Sequence, residues 1–295
     1  MNKIGSIFLE NMSIPHKIIV ILGPTASGKS ELAVKIALQL GSRQAEIISA
    51  DSRQIYKELN IGTGKITEKE MKGVPHHLLD VASPKRIFTV AQYQKLAKKA
   101  LKDIIRRGKI PIICGGTGLY IDALIYDLKF PKVPPQKKLR VKLEMLELPK
   151  LLELLKKLDP ERYEVIDRKN KRRIIRAIEI AKVLGKAPKI KKTSPYDVLR
   201  IGVSVSKEKL EKRINQRVDK MIKIGLIEET KRLLKKYPAN LPVFNTLGYK
   251  EIIEYLRGRT SLPEAISLIR KNTYQYAKRQ MTWFRRYPGV NWIKN

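Results

Sequence analysis

Apolar positions first run unbroken from Ile18 to Leu22, a length that suits a strand buried on both faces. They then fall into a helical rhythm at Leu32, Ile36 and Leu40, with Gly41 as the stop. Residues 46 to 51, EIISAD, read as a second buried strand that ends in a polar turn. Residues 90 to 108, VAQYQKLAKKALKDIIRRG, have the period of an amphipathic helix with a basic outer face and Gly108 at its end. Residues 110 to 118, IPIICGGTG, return to strand character and run into a glycine-rich turn. Strands alternating with helices predict an α/β fold, a parallel sheet with helices on both faces. Ligands of such sheets bind beyond the carboxyl ends of the strands. Gly23 to Ser30, Asp51-Ser52 and Gly115 to Gly118 all follow strand ends, so they are expected around one crevice.

The pattern breaks near Phe130, where Pro131, Pro134 and Pro135 punctuate the chain. Two basic helical stretches follow, KKLRVKLEMLELPKLLELLKKL and RKNKRRIIRAIEIAKVLG. Strand character returns in DVLRIGVSVS, residues 197 to 206, and helices follow, including residues 210 to 237. The expected division is a core of residues 14–130 and 196–295 with a helical insertion at 131–195.

Charge sharpens this picture. The chain carries 62 Lys+Arg against 28 Asp+Glu, a formal net charge of +34 over 295 residues. Residues 131 to 195 alone hold 20 basic and 8 acidic side chains, a net +12. Such an excess points to a polyanionic partner, nucleic acid first and an anionic membrane surface second, ahead of a mere lysine-rich compositional bias. The single cysteine, Cys114, excludes an internal disulfide framework and a Cys2His2 zinc finger. It fits a reducing cytoplasm. No apolar run reaches the ~20 residues that span a bilayer. Residues 1 to 11 lack the apolar core of a signal peptide and read as a loose lead or a misplaced start. A monomer is expected.

The residues after the first strand carry the clearest chemistry. Gly23-Pro24-Thr25-Ala26-Ser27-Gly28-Lys29-Ser30 is a complete G-x4-G-K-[ST], and strand, loop, helix is the context that makes it a P-loop. Its backbone N–H groups and the helix N-terminus would surround phosphate oxygens. Lys29 would reach the outer phosphate, and Ser30 would ligate Mg2+. The motif indicates a bound polyphosphate without saying which molecule carries it.

Other positions are weaker alone. Asp51 at a strand end could bind Mg2+, act as a base or simply cap a turn. Ser52, Arg53 and Gln54 beside it can hydrogen-bond a base edge. Thr117 lies in the Gly115–Gly118 turn, where a satisfied hydroxyl is the plain reading. Arg172, Arg173 and Arg176 lie on a helix whose Ile174, Ile175 and Ile178 should face inward; Arg172 and Arg176, four apart, should share a face. Arg213 and Arg217 are also four apart, and one of them could clamp a leaving phosphate. TYQYAKRQMTWFRRYP interleaves aromatic and basic residues, as suits splayed RNA bases, or packs Trp283 and Phe284 into a core. His76 and His77 have no metal-ligand spacing and read as structural.

Taken together, GPTASGKS, SADSRQIYKELNIGTGK, PHHLLD, GGTGLY, NKRRIIRAIEI, RVDKMIKIGLIEE, LGYKEI and YAKRQMTWFR resemble the tRNA dimethylallyltransferase (tRNA isopentenyltransferase) family in its bacterial form. They follow family order from about residue 18 to 286. The resemblance implies a P-loop NTPase-like sheet core with a helical insertion gripping the anticodon arm. It implies transfer of the prenyl group of dimethylallyl diphosphate to N6 of adenosine 37 of tRNA, with diphosphate released and Mg2+ as cofactor. By the same resemblance Asp51 would be the general base. Thr25, Lys29 and Ser30 would hold the diphosphate with Mg2+, and Arg217 would assist its departure. Asp51 to Gln54, Thr117, Arg140 and Arg172 to Arg176 would contact tRNA. The family's GTAKP is here Gly62-Thr63-Gly64-Lys65-Ile66, and Tyr274 stands where many members have Arg; the latter puts one phosphate contact in question.

Three other readings compete. An adenylate isopentenyltransferase would prenylate free nucleotides, but it has no use for the basic insertion. A P-loop kinase would transfer a γ-phosphate and leaves the insertion unexplained. An RNA-binding protein with a degenerate P-loop would not keep Gly28-Lys29-Ser30 and Asp51 intact.

Overall fold

The computed structural model describes residues 17–41, 44–188 and 193–295. Residues 1 to 11, read above as a loose lead, lie outside the described residues. Six strands form one all-parallel sheet: β1 (Lys17–Leu22), β2 (Ala45–Ser49), β3 (His76–His77), β4 (Ile110–Gly115), β5 (Asp197–Ser204) and β6 (Val290–Lys294). Their order is β3-β2-β4-β1-β5-β6. The unbroken apolar run of β1 is explained by its central place: Ile19 pairs with Ile112 of β4 and with Leu199 of β5.

Side chains of β1 alternate between two cores, as a pleated strand requires. Ile19 and Ile21 join Ala33, Val34, Ile36 and Ala37 of α1 (Lys29–Gln39) on one face. Ile18, Val20 and Leu22 face the larger core on the other. That core is built by α3 (Val90–Arg106), α4 (Gly118–Ile125), α9 (Lys207–Lys223), α10 (Leu226–Lys236), α11 (Tyr249–Leu256) and α12 (Leu262–Phe284). The short α2 (Glu68–Met71) lies between β2 and β3 in the chain. The 210–237 helical stretch is two helices, because Gly225 takes a φ of 102° between α9 and α10. Thr89 with Gln92 and Ser261 with Glu264 form capping boxes that start α3 and α12.

The chain divides into two compact units, Met1–Asp127 with Thr193–Asn295, and Leu128–Lys192. The second holds α5 (Lys137–Glu144), α6 (Leu148–Leu158), α7 (Pro160–Val165) and α8 (Lys171–Leu184). Its core is Leu143, Leu151, Leu155, Ile174, Ile175 and Ile178 with their neighbours. Glu179 is fully buried there, paired with Arg140 at 2.6 Å and Arg176 at 3.0 Å. Burial alone would raise its pKa; the Arg140, Gln136 and Arg176 hydrogen bonds outweigh this and hold the carboxyl below its ordinary range.

This core corrects part of the sequence reading. Ile174 and Ile175, expected among the tRNA contacts, have side chains 0% and 3% exposed and offer none to a ligand. Arg172 and Arg176 lie four apart on one helix; Arg172 is exposed, whereas Arg176, a third exposed, is held by Glu179 and by the Val133 carbonyl at 2.8 Å. A buried carboxylate must be paired, and Arg176 is within its reach.

Candidate active site

The P-loop joins β1 to α1, with Gly28 at a φ of 88° as the N-cap of the helix. Lys29 Nζ donates to the Pro24 carbonyl at 3.2 Å, folding the side chain back over the loop. Burial lowers its pKa, while Cys114 and Asp51 oppose that shift and Arg217 adds to it. A partly desolvated cation beside a second cation is poised to receive an anion.

Asp51 follows β2. Its Oδ1 accepts the N–H groups of Arg53 (2.8 Å) and Gln54 (3.3 Å), which fixes the carboxylate on its own turn. The neighbouring turn is locked to it: Thr117 Oγ1 accepts the Ser52 N–H at 3.0 Å, and the Thr117 N–H reaches the Ala50 carbonyl at 3.1 Å. The three strand-end segments therefore do gather in one place.

Arg217, on α9, donates from Nη2 to the Thr63 carbonyl at 3.2 Å. Burial lowers its pKa, and Asp51 and Glu70 oppose that shift. Arg213, one turn earlier, does not enter the crevice; its Nη1 braces the Ser27 carbonyl at 3.1 Å.

These groups share a cavity of about 370 Å³ lined by Thr25, Lys29, Asp51, Arg217, Tyr276 and Gln280. Lys29, Arg53, Arg217 and Arg279 line it with Asp51, and Val218, Met221, Leu247 and Ile269 add apolar lining. A second, smaller cavity of about 70 Å³ shares Lys29, Asp51 and Arg217 and adds Ser30, Gln54, His76 and Cys114. A space lined by both cationic and apolar groups matches an ionic group joined to a hydrocarbon.

The family description "IPP transferase" matches residues 54–287, most of the chain. This chain belongs to the IPP transferase family. A tRNA dimethylallyltransferase of Anoxybacillus flavithermus is 46% identical over 283 residues, which cover 94% of this chain and 90% of that protein. One of Pelotomaculum thermopropionicum is 44% identical over 294 residues, 97% of this chain and 92% of the relative. The crystal structure of the full-length tRNA isopentenylpyrophosphate transferase from Bacillus halodurans superposes with a TM-score of 0.72 at 39% identity, covering 95% of this chain and 90% of that one. A eukaryotic dimethylallyltransferase acting on tRNA gives a TM-score of 0.82 at 29% identity, over 95% and 74% of the two chains.

In this chain the P-loop and Asp51 precede the matched segment, and the cavity joins them to residues within it. Gln280, which sequence reasoning missed, makes that junction. Its Oε1 accepts the Thr25 N–H at 2.8 Å, and its Nε2 donates to the Gly116 carbonyl at 2.8 Å. Gln280 is three residues after Ala277 and four before Phe284, on the buried face of α12. A polar residue in that apolar rhythm was the available signal. Tyr276 was missed as well; burial pushes its hydroxyl up to about 12, with Asp51 adding to the shift.

The C-terminal stretch resolves in favour of packing for part of its aromatics: Phe284 is fully buried, and the Trp283 indole donates to the Tyr287 hydroxyl at 3.2 Å, while Lys278, Arg279, Arg285 and Arg286 are exposed. Tyr274 lies under Lys278, 5.7 Å from ring centre to Nζ. His77 pairs with Glu46 at 2.7 Å, whereas His76 lines the smaller cavity. Arg140, Arg172, Arg173 and Arg176 belong to the Leu128–Lys192 unit, and Arg140 grips Glu179 through two bonds of 2.7 and 2.6 Å.

Among the described residues no three His, Cys, Asp or Glu side chains cluster to hold a metal ion. Ser30 and Asp51 line the smaller cavity together. That oxygen pair fits a hard cation that keeps waters and takes its other ligands from a diphosphate. No helix among the described residues is long and apolar enough to cross a membrane.

Proposed function

We propose that this chain transfers the dimethylallyl group from dimethylallyl diphosphate to N6 of adenosine 37 in tRNA. The observation that carries this reading is the shared cavity: a fixed carboxylate, Asp51, and a phosphate-binding set, Lys29 and Arg217, line one space. The names of its relatives support the acceptor and the group transferred. The net +34 charge supports a nucleic-acid acceptor over a free nucleotide.

In this mechanism the diphosphate rests on the P-loop, with Lys29 and Arg217 opposite its charge. The apolar lining, with Val218, Met221 and Ile269, receives the five-carbon chain. The target adenine leaves its stack to enter the cavity. Its N6 lone pair attacks C1 of the prenyl group, and the C1–O bond breaks toward diphosphate. Asp51 takes the proton that N6 loses; a positioned base of this kind contributes roughly 10²–10⁴-fold. Ser30 would hold Mg2+, which when bound would supply further charge neutralisation for the diphosphate and leave Asp51 as the base. Fixed cations where charge develops stabilise the transition state without reorganisation. Ser52, Arg53, Gln54 and Thr117 contact the flipped nucleotide and its neighbours. The helical unit that carries Arg140, Arg172 and Arg173 grips the anticodon arm through its net positive charge.

Dimethylallyl diphosphate labelled in the prenyl group, offered with Mg2+ to unmodified tRNA and separately to AMP, tests this. Label in RNA that digests to a prenylated adenosine at position 37 is the expected result. Label in AMP alone, or γ-phosphate leaving ATP without prenyl transfer, would refute it.

A further inference from the structure

Glu229 is 2% exposed, in the first turn of α10, and lines none of the cavities around the P-loop. Its carboxylate is nonetheless saturated. Oε2 accepts the N–H groups of Asn60 (3.3 Å) and Ile61 (3.0 Å). Oε1 accepts the Gly62 N–H at 3.1 Å and the Tyr249 hydroxyl at 2.6 Å. Three successive backbone donors converging on one anion form a nest, whose aligned N–H dipoles are neutralised by the carboxylate. Burial and the neighbouring carboxylate push the Tyr249 hydroxyl well above its ordinary range, so it stays a donor.

The nest is the near half of a short loop whose far half holds the diphosphate site. In the two residues that follow the nest, the Thr63 carbonyl receives Arg217 Nη2 at 3.2 Å, and the Gly64 carbonyl receives Gln54 Nε2 at 3.0 Å. The fit leaves no slack. A Cβ on Gly62 would meet the Tyr249 ring at 2.5 Å, and one on Gly64, at a φ of +55°, would meet Arg217 Nη2 at 1.8 Å. Arg217 is itself a buried cation that makes its hydrogen bond to this loop.

We propose that Glu229 is a positioning residue for Arg217. The carboxylate shapes residues 60–64 so that the Thr63 carbonyl aims the guanidinium at the departing diphosphate, and Tyr249 fixes the carboxylate in turn. This rests on the diphosphate reading of the cavity given above. A Glu229→Gln change keeps size and one acceptor oxygen but sets an NH2 against N–H donors, which opens the nest.

Inorganic pyrophosphate with Mg2+, titrated by calorimetry into the full chain, is the probe, with affinity for an anticodon stem-loop RNA read in parallel. Pyrophosphate binding is expected to weaken about tenfold in Glu229→Gln and about threefold in Tyr249→Phe, with RNA affinity within about twofold. In an Arg217→Ala background Glu229→Gln is expected to have almost no further effect, because the interaction it serves is gone. A merely structural glutamate would weaken both backgrounds alike, and that result overturns the proposal. So does unchanged pyrophosphate affinity in both variants, or a parallel loss of RNA affinity. Failure of the unsubstituted chain to bind pyrophosphate would instead sink the diphosphate reading, and this proposal with it.

Discussion

Gln280 accepts the Thr25 N–H with one end of its amide and donates to Gly116 with the other. A side chain from a 23-residue helix near the end of the chain thereby ties the P-loop to the turn that holds Ser52. Both ends of an amide are needed for this, since one partner is a donor and the other an acceptor.

Gln280→Glu tests that geometry. It keeps an oxygen for Thr25 but turns a second oxygen onto the Gly116 carbonyl. The buried carbonyl loses its donor, so urea unfolding should show a loss of about 1–3 kcal/mol. Prenyl transfer should fall as well, because the two turns that frame Asp51 separate.

Gly64→Ala should act on the donor and spare the acceptor. Its Cβ would sit 1.8 Å from Arg217 Nη2. The KM for dimethylallyl diphosphate is expected to rise at least about tenfold, a loss of roughly 1.4 kcal/mol, with the KM for RNA unchanged. Gly73→Ala is the control: it has a φ of +77° but nothing within 4 Å of its Cβ. It should cost only the strain of that conformation, about 1–2 kcal/mol of stability, and leave both KM values alone.

Glu46 sets an acid limit to stability. Hydrogen bonds from Arg107 first, and then from Lys109 and His77, hold its carboxyl well below the ordinary 4.5, against the opposing effect of burial. The stabilisation is complete above 4.5, the unfolded value, and is lost as pH falls through the depressed folded value. Melting temperature followed from pH 6 to pH 2 (roughly the range over which carboxylates titrate) should drop steeply, and Glu46→Gln should lower the plateau and flatten the drop.

RNA affinity should depend steeply on salt. For a chain of net charge +34, log affinity against log salt should fall by about 0.7–0.9 per phosphate neutralised. Filter binding between about 50 and 200 mM salt reads the slope, and a flat line would contradict an RNA-gripping role for the basic surface.

How much of this was legible in the sequence depended on whether a residue's partner lay in a local pattern. The P-loop was legible because strand, glycine turn and helix follow one another within the motif, and β1, β2 and β4 because their largely apolar runs are buried within a parallel sheet; β5 showed by its return to strand character, though only residues 201 to 203 of it are buried. β3 was not: two histidines have no period, and they become a strand by pairing with Ile47 and Ile48. β6 was not either, since Val290–Lys294 is a half-exposed edge paired only to β5. The same limit applied to the site. Asp51 and Arg217 were singled out, but Glu229 looks like any helix-start glutamate until the loop 168 residues away closes on it. Spacing placed Arg172 and Arg176 together, yet only the fold reveals that the buried Glu179 holds one of them.

The most direct test of the central claim is single-turnover transfer of labelled dimethylallyl groups to unmodified anticodon stem-loop RNA by the unsubstituted chain and by Asp51→Asn. Asparagine keeps Oδ1 as the acceptor for the Arg53 and Gln54 N–H groups, so the turn should keep its shape, and melting and RNA affinity, read in parallel, should change far less than the rate. The account predicts label on N6 with the unsubstituted chain and a rate lower by roughly 10²–10⁴-fold in the variant. Full-rate transfer by Asp51→Asn, or no transfer to RNA by either protein, would contradict it.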